Sequence, residues 1–177
     1  MQREFVINCE EDGTDIGPLD RKIAHRKDIA PLLCHKVVWA MLYCKNTKRW
    51  CIQKKLSKSI NIEIWDTSIG GHCCYGDEFK YISPEENMHK EAYEELGLKD
   101  YKLILVDKQN VKTSYCNEFV YFYLLITDKE DVIYNDGEVL EHKWISDYEF
   151  ESFCVNNKIS HALEMTYSKC KSKINSN

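Results

Sequence analysis

A short segment of the chain carries both the start signal and the stop signal of one helix. Ser83 can cap a helix whose first residue is Pro84, and Glu86 completes a Ser-x-x-Glu capping box. Gly97 follows at the position where a left-handed residue commonly ends a helix. Because these signals are local in the sequence, they predict a helix over residues 84–96.

The predicted helix carries an apolar stripe beside an acidic one. Its apolar residues recur at every fourth position: Met88, Ala92 and Leu96. Its acidic residues share one face of the helix: Glu91, Glu94 and Glu95. The apolar stripe should pack on a core and leave the carboxylates facing a cleft. Neighbouring carboxylates repel one another unless a cation lies among them, so the pattern outlines a magnesium site.

The segment 70–98 resembles the Nudix box, a loop-helix-loop motif written G-x5-E-x7-R-E-U-x-E-E-x-G-U, where U is a bulky apolar residue. Residues 90–98 match the second half of this motif. Lys90 replaces the arginine of the family, and Ala92 occupies the first apolar position. The three carboxylates that the motif has in this half are all present: Glu91, Glu94 and Glu95.

The first half of the motif matches only if extra residues, an insertion at 73–82, are allowed in the loop. Strict counting back from Lys90 places Ile82 where the family has a glutamate. Asp77 or Glu78 is the better candidate for that carboxylate. Since lysine lacks the bidentate fork of arginine, the loop is expected to be held differently here.

The resemblance implies an α/β fold, an α/β/α sandwich with a mixed sheet. It also implies a hydrolase that cleaves the diphosphate linkage of a small nucleoside-diphosphate-type substrate by water attack at phosphorus. The implied cofactor is Mg²⁺ or Mn²⁺, because hard oxygen ligands favour these cations. The implied metal ligands are the backbone carbonyl of Gly71 and the carboxylates of Glu91, Glu94 and Glu95.

The residue that takes the proton from the attacking water differs among Nudix proteins and often lies outside the box. Glu118 is the first candidate, since it opens a strongly apolar strand and could point into the cleft. Glu138 and Glu141 are second candidates. The alternative for each is a solvated charge at a strand end.

The candidates for contact with the substrate are two lysines and two aromatic residues: Lys54, Lys55, Trp65 and Tyr115. The lysines end a strand that leads towards the box and could meet phosphate. The aromatic rings could stack on a base. The alternatives are surface solvation for the lysines and, for Trp65, a role in holding the loop.

The N-terminal part of the chain also resembles isopentenyl diphosphate isomerases and a related branch of Nudix hydrolases, chiefly through residues 5–8 and 64–72. In the isomerases, three histidines and two glutamates bind a metal, and a cysteine takes part in moving a carbon-bound proton. The positions of those histidines are occupied here by His25, His35 and His72.

Two of the isomerase positions are changed in this chain. Glu118 matches one of the two glutamates, but Cys116 stands at the other, and Gly70 stands at the cysteine. The box helix also keeps the pair Glu94 and Glu95, which favours hydrolysis. An isomerase-like enzyme and a non-catalytic binding module for phosphate compounds are the alternatives.

Length and composition agree with one domain over residues 1–177. With 44% hydrophobic residues, a chain of 177 residues can bury a sizeable core. The net charge of −5, with dispersed lysines, argues against a broad basic face for long nucleic acid. The apolar run 119–126 is too short to cross a bilayer, and no signal peptide is recognisable, so a cytoplasmic protein without membrane contact is expected.

The nine cysteines include no Cys-x-x-Cys pair, which predicts reduced thiols rather than a disulfide framework or a structural zinc site. Because many relatives in this family dimerise, the resemblance leaves a homodimer open. Strands rich in β-branched and aromatic residues are predicted at 5–8, 36–44, 50–54, 101–107, 118–127 and 139–145. Helical spacing predicts two closing helices at 147–154 and 160–171.

Overall fold

The structure, a computed structural model, describes residues 3–57, 62–133 and 139–176. In these ranges the strands are β1 (Phe5–Cys9), β2 (Asp15–Asp20), β3 (His35–Cys44), β4 (Arg49–Ser57), β5 (Ile62–Asp66), β6 (Ile69–His72), β7 (Lys102–Lys112), β8 (Asn117–Thr127) and β9 (Val139–Ser146). The helices are α1 (Arg21–Ala24), α2 (Pro84–Leu96), α3 (Asp147–Asn156) and α4 (His161–Asn175). The predicted α/β class with a mixed sheet is confirmed.

Every predicted strand and helix has a counterpart, and the largest difference is at β7, which was predicted at 101–107 but continues to Lys112. The sequence did not predict β2, β5, β6 or the short helix α1. Two of the missed strands contain residues that weaken a strand signal: β6 holds Gly70 and Gly71, and β2 holds Gly17 followed by Pro18. These strands therefore depend on their neighbours more than on their own sequence.

The chain is divided into two compact units. The first unit comprises Met1–Val38, Gly71–Lys90 and Asp107–Tyr121, and the second comprises Trp39–Gly70, Glu91–Val106 and Phe122–Asn177. The limits fall inside β3, β6, α2, β7 and β8, so each of these elements contributes residues to both units. One domain over residues 1–177 stays a prediction.

In the first unit, β1 pairs antiparallel with β2 and meets β3 where Asn8 lies opposite His35. The pairing of β1 with β2 shifts register between Asn8 and Cys9. A small core follows directly, formed by Cys9, Cys34 and Phe119. This pairing fixes the backbone of His35 at the start of β3.

In the second unit, β4 pairs antiparallel with β3, β5 and β9. Lys55 lies opposite Ile64 of β5 and Val139 of β9, so its backbone is held on both sides. The core of this unit combines strand and helix residues: Met41, Trp50, Ile52, Trp65, Leu124, Ile145, Phe150, Leu163, Tyr167 and Cys170. None of the helices in the described ranges is both long and apolar enough to span a bilayer.

Candidate active site

The start of α2 is fixed by the predicted capping box. The Glu86 backbone N–H donates to Ser83 Oγ over 3.2 Å, and the Ser83 backbone N–H donates to Glu86 Oε2 over 2.9 Å. Each residue thus satisfies a backbone group that the helix itself leaves unpaired. The predicted helix start is confirmed.

The end of α2 is fixed by Gly97, which adopts φ +64. The N–H of Gly97 donates to the Tyr93 carbonyl over 2.9 Å, and that of Leu98 donates to the Ala92 carbonyl over 3.1 Å. A Cβ at residue 97 would lie 3.0 Å from the carbonyl oxygen of Ile133. Glycine is therefore favoured both by the left-handed conformation and by this close approach.

The stripe of apolar residues on α2 is buried as predicted, with Met88, Ala92 and Leu96 at most 1% exposed. The three carboxylates beside it differ in environment. Glu94 is exposed, Glu91 is half-buried, and Glu95 is only 6% exposed. Within the second unit, the acidic stripe therefore includes one solvent-exposed carboxylate, one half-buried carboxylate and one buried carboxylate.

Glu95 is held by donors from β4 and from the turn before the box. Lys55 Nζ lies 2.8 Å from Glu95 Oε1. The Gly70 N–H and Gln53 Nε2 lie 3.3 and 3.4 Å from Glu95 Oε2. Gln53 is fully buried and also donates to the carbonyl oxygen of Ser68. Both oxygens of this carboxylate are thus oriented by the protein.

The ammonium group of Lys55 pairs with Glu95, a carboxylate of the Nudix-like box. The predicted role of Lys55 in binding phosphate stays a prediction. Lys54 lies between two carboxylates of the neighbouring strands, with its Nζ 2.8 Å from Glu63 Oε2 and 3.9 Å from Glu141 Oε2. Its role in substrate binding likewise stays a prediction. Glu141, a second candidate for the base, is therefore engaged with a cation, and Glu138 lies outside the described residues.

The two predicted aromatic contacts lie in different environments. Trp65 belongs to the core of the second unit, where its ring packs edge-on against Phe153 at 5.1 Å between centroids. This placement favours the alternative in which Trp65 holds the loop. Tyr115 is exposed in the turn between β7 and β8 of the first unit. Stacking on a substrate stays a prediction for both.

The first unit gathers the three histidines that the isomerase comparison singled out. One ring nitrogen from each of His25, His35 and His72 lies within 4.8 Å of the others. His25 is exposed at the end of α1, whereas His35 is 1% exposed. Within the described residues, neither ring nitrogen of His35 has a hydrogen-bond partner of normal geometry. A buried, unsatisfied imidazole facing two others is a suitable ligand for a metal ion.

The environment of this histidine cluster keeps the rings neutral near pH 7. Burial, and after it the charge of a protonated His25, lowers the pKa of His35 to about 4. Burial also lowers the pKa of His25, and it lowers that of His72 well below its usual value. Metal ions bind the neutral form of imidazole. The cluster can therefore bind a metal ion at neutral pH without first releasing protons.

Glu118, the first candidate for the general base, faces the histidine cluster. Its side chain is half-buried at the start of β8, and Oε1 lies 3.8 Å from His35 Nε2. Its role as a base stays a prediction. Cys116, which stands where the isomerases have a second glutamate, lies with its Sγ 3.2 Å from Thr113 Oγ1 in the adjoining turn.

The remaining predicted ligand, Gly71, belongs to the first unit, whereas Glu91, Glu94 and Glu95 belong to the second. Its carbonyl stays a predicted ligand. The insertion 73–82 contains a short 3₁₀ turn at Asp77–Phe79, in which Glu78 and Phe79 adopt positive φ. The Phe79 ring packs against Phe5 at 4.9 Å between centroids, a contact that no local pattern predicted.

No family model matches the chain, and no curated protein matches it in sequence. Solved structures match in fold. The structure of DR0079 from Deinococcus radiodurans has a TM-score of 0.66 at 20% identity and covers 94% of this chain and 99% of its own. A NUDIX-family hydrolase from Clostridium perfringens has a TM-score of 0.55 at 18% identity, covering 77% and 95%. The NUDIX domain of Shewanella oneidensis NrtR, complexed with ADP-ribose, has a TM-score of 0.60 at 10% identity, covering 78% and 87%. The chain therefore has the Nudix fold.

Proposed function

We propose that this protein is a magnesium-dependent Nudix hydrolase that cleaves the diphosphate linkage of a small nucleoside-diphosphate-type substrate. One observation carries the proposal. The N–H of Gly70, in the glycine turn, lies 3.3 Å from Glu95 Oε2 on the helix that also bears Glu91 and Glu94. This contact joins the glycine turn to the acidic helix within the second unit, in a chain whose fold is that of Nudix proteins.

The donor set of α2 fits a hard divalent cation. All three candidates are carboxylates, and Glu94 is open to solvent where a hydrated ion can approach. Magnesium, or manganese in its place, would neutralise charge that develops on the oxygens of a diphosphate during attack by water. Glu91, Glu94 and Glu95 of the second unit would hold it. The carbonyl oxygen of Gly71 stays a ligand implied by the family resemblance alone.

The other residues of the proposed reaction handle the proton and the substrate. Glu118 is proposed to accept a proton from the attacking water at a carboxylate oxygen. The preferred substrate class is a nucleoside diphosphate joined to a small group, since a NUDIX domain with this fold was solved with ADP-ribose. We place the protein in the cytoplasm as one domain, and we expect no contact with long nucleic acid.

The test is a screen of the purified protein with Mg²⁺ against nucleoside diphosphate sugars, dinucleotides, nucleoside triphosphates and isopentenyl diphosphate, with products identified by mass. We expect hydrolysis of a nucleotide substrate that is abolished by Glu94→Gln. Glu85→Gln is the matched control, because Glu85 is an exposed glutamate on the same helix outside the acidic stripe. Equal turnover by Glu94→Gln and the unsubstituted protein would contradict the assignment.

A second candidate function is an isomerase-like reaction on an isoprenoid diphosphate, favoured by the histidine cluster and Glu118. Conversion of isopentenyl diphosphate without phosphate release, lost with His72→Ala and retained with Glu94→Gln, would support it. The alternative of a binding module without turnover would show ligand affinity and no product under any metal. The substitution of Gly70 for the isomerase cysteine makes the hydrolase the preferred function.

A further inference from the structure

The ion pair between Lys55 and Glu95 has the geometry of an internal counter-ion. Lys55 Nζ lies 2.8 Å from Glu95 Oε1, and the side chains are 18% and 8% exposed. At this distance and burial the pair is a charge-assisted hydrogen bond that water screens weakly. The ammonium therefore neutralises the most buried carboxylate of the acidic stripe.

The donors on Glu95 divide between its two oxygens. Oε2 faces the N–H of Gly70 and the side-chain amide of Gln53, whereas Oε1 faces Lys55. Gln53 is immobilised by burial and by its bond to the Ser68 carbonyl. Lys55 is different, since its head group is a point charge on a flexible four-carbon stem. Of these three donors, it is the one that can withdraw without a change in the backbone.

A dication at Glu95 would meet the ammonium of Lys55 at short range. Like charges at such separations repel strongly in a partly buried site, where water screens them weakly. The neutral amides on Oε2 present no such conflict and can go on orienting the carboxylate. The lysine and the metal are therefore competitors for Oε1.

From this geometry, and resting on the proposed function, we propose that Lys55 is an internal counter-ion. It pairs with Glu95 in the metal-free protein and is displaced when the catalytic cation binds. The exchange lowers the affinity for the cation, because binding breaks the ion pair. It also protects the fold when metal is scarce, since a buried carboxylate is never left without a counter-charge.

The test is a titration of the full chain with Mn²⁺, in which the electron paramagnetic resonance signal of the unbound ion measures how much Mn²⁺ is bound. Removal of the competing charge in Lys55→Met should lower the Kd for Mn²⁺ by about tenfold or more. The same substitution should lower the Tm in EDTA and enlarge the rise in Tm on adding Mn²⁺. Lys55→Arg should bind Mn²⁺ no more tightly than the unsubstituted protein, because its bidentate fork holds the carboxylate.

Lys54→Met is the matched control, since Lys54 lies on the same strand but pairs with Glu63 and Glu141. If Lys55→Met does not fold, Lys55→Gln provides the same comparison with a neutral side chain that can still donate to Glu95. An unchanged or weakened Mn²⁺ affinity in the neutral variant would overturn the role of Lys55 alone. Absence of saturable Mn²⁺ binding by the unsubstituted protein would overturn the proposed function and this inference with it.

Discussion

His25 Nε2 and His72 Nε2 lie 2.9 Å apart. At this separation one nitrogen donates and the other accepts, so the contact holds a single proton between two rings. A second proton would place two imidazolium charges against each other beside the buried ring of His35. The histidine cluster is consequently stable as a set of neutral rings, and acid should disrupt it.

The first prediction concerns the pH dependence of stability in the metal-free protein. The pKa of His35 is about 4 in the folded chain, below the usual 6.5, so the unfolded chain binds the proton more tightly. The neutral His35 ring therefore makes its full contribution to the free energy of unfolding above pH 6.5, and this contribution is lost as the pH falls towards 4. Its full size is about 3 kcal/mol from the difference between these two pKa values.

Urea unfolding in EDTA at a series of pH values measures this contribution. His35→Asn should flatten the fall in the free energy of unfolding between pH 6.5 and 4. A variant that keeps the whole slope would show that other groups cause it.

The second prediction concerns the pair Lys55 and Glu95. Glu95→Gln leaves the ammonium in a half-buried site without its carboxylate, so unfolding in EDTA should require about 3 kcal/mol less. Glu94→Gln, at an exposed position, should change stability by about 0.5 kcal/mol or less. In the double variant Lys55→Met with Glu95→Gln, the loss should be smaller than the sum of the single losses. Additive losses would mean that the two side chains do not interact.

The third prediction concerns the end of α2. Gly97→Ala forces a Cβ into a left-handed residue beside the carbonyl oxygen of Ile133, which should cost about 1–2 kcal/mol of stability. Gly76→Ala is the control, because Gly76 has φ −75 and its one tight contact to an added Cβ would be the flexible end of Ile82 at 3.2 Å, with the carbonyl oxygen of Lys80 at an ordinary 3.6 Å. Urea unfolding of both variants measures the loss in free energy of unfolding. Equal losses in the two variants would contradict the prediction.

The fourth prediction concerns the proposed base. Glu118→Gln preserves the shape of the side chain but removes its basicity, so kcat for nucleotide hydrolysis should fall about 100-fold or more with little change in KM. Glu141→Gln is the comparison, since Glu141 was the second candidate and lies near Lys54. A large loss in Glu141→Gln with none in Glu118→Gln would reassign the base.

Elements whose signals lie within a few residues of one another could be predicted from the residues alone. The helix α2 is the clearest case, because the capping box at Ser83, the apolar stripe and Gly97 act through neighbouring turns. The long strands β3 and β8 were likewise predicted from their continuous apolar runs. The short strand β6, with two glycines, had no such signal and exists through pairing with β3.

The partners of the functional side chains depend on how elements that are far apart in the sequence pack together. Lys55 and Glu95 are separated by 40 residues, and His25 and His72 by 47, yet each pair is in contact. Side-chain spacing along a chain specifies one face of one element, whereas the approach of two elements depends on how all the buried surfaces pack together. The sequence therefore identified the candidate carboxylates and histidines, but it did not predict which residues they contact.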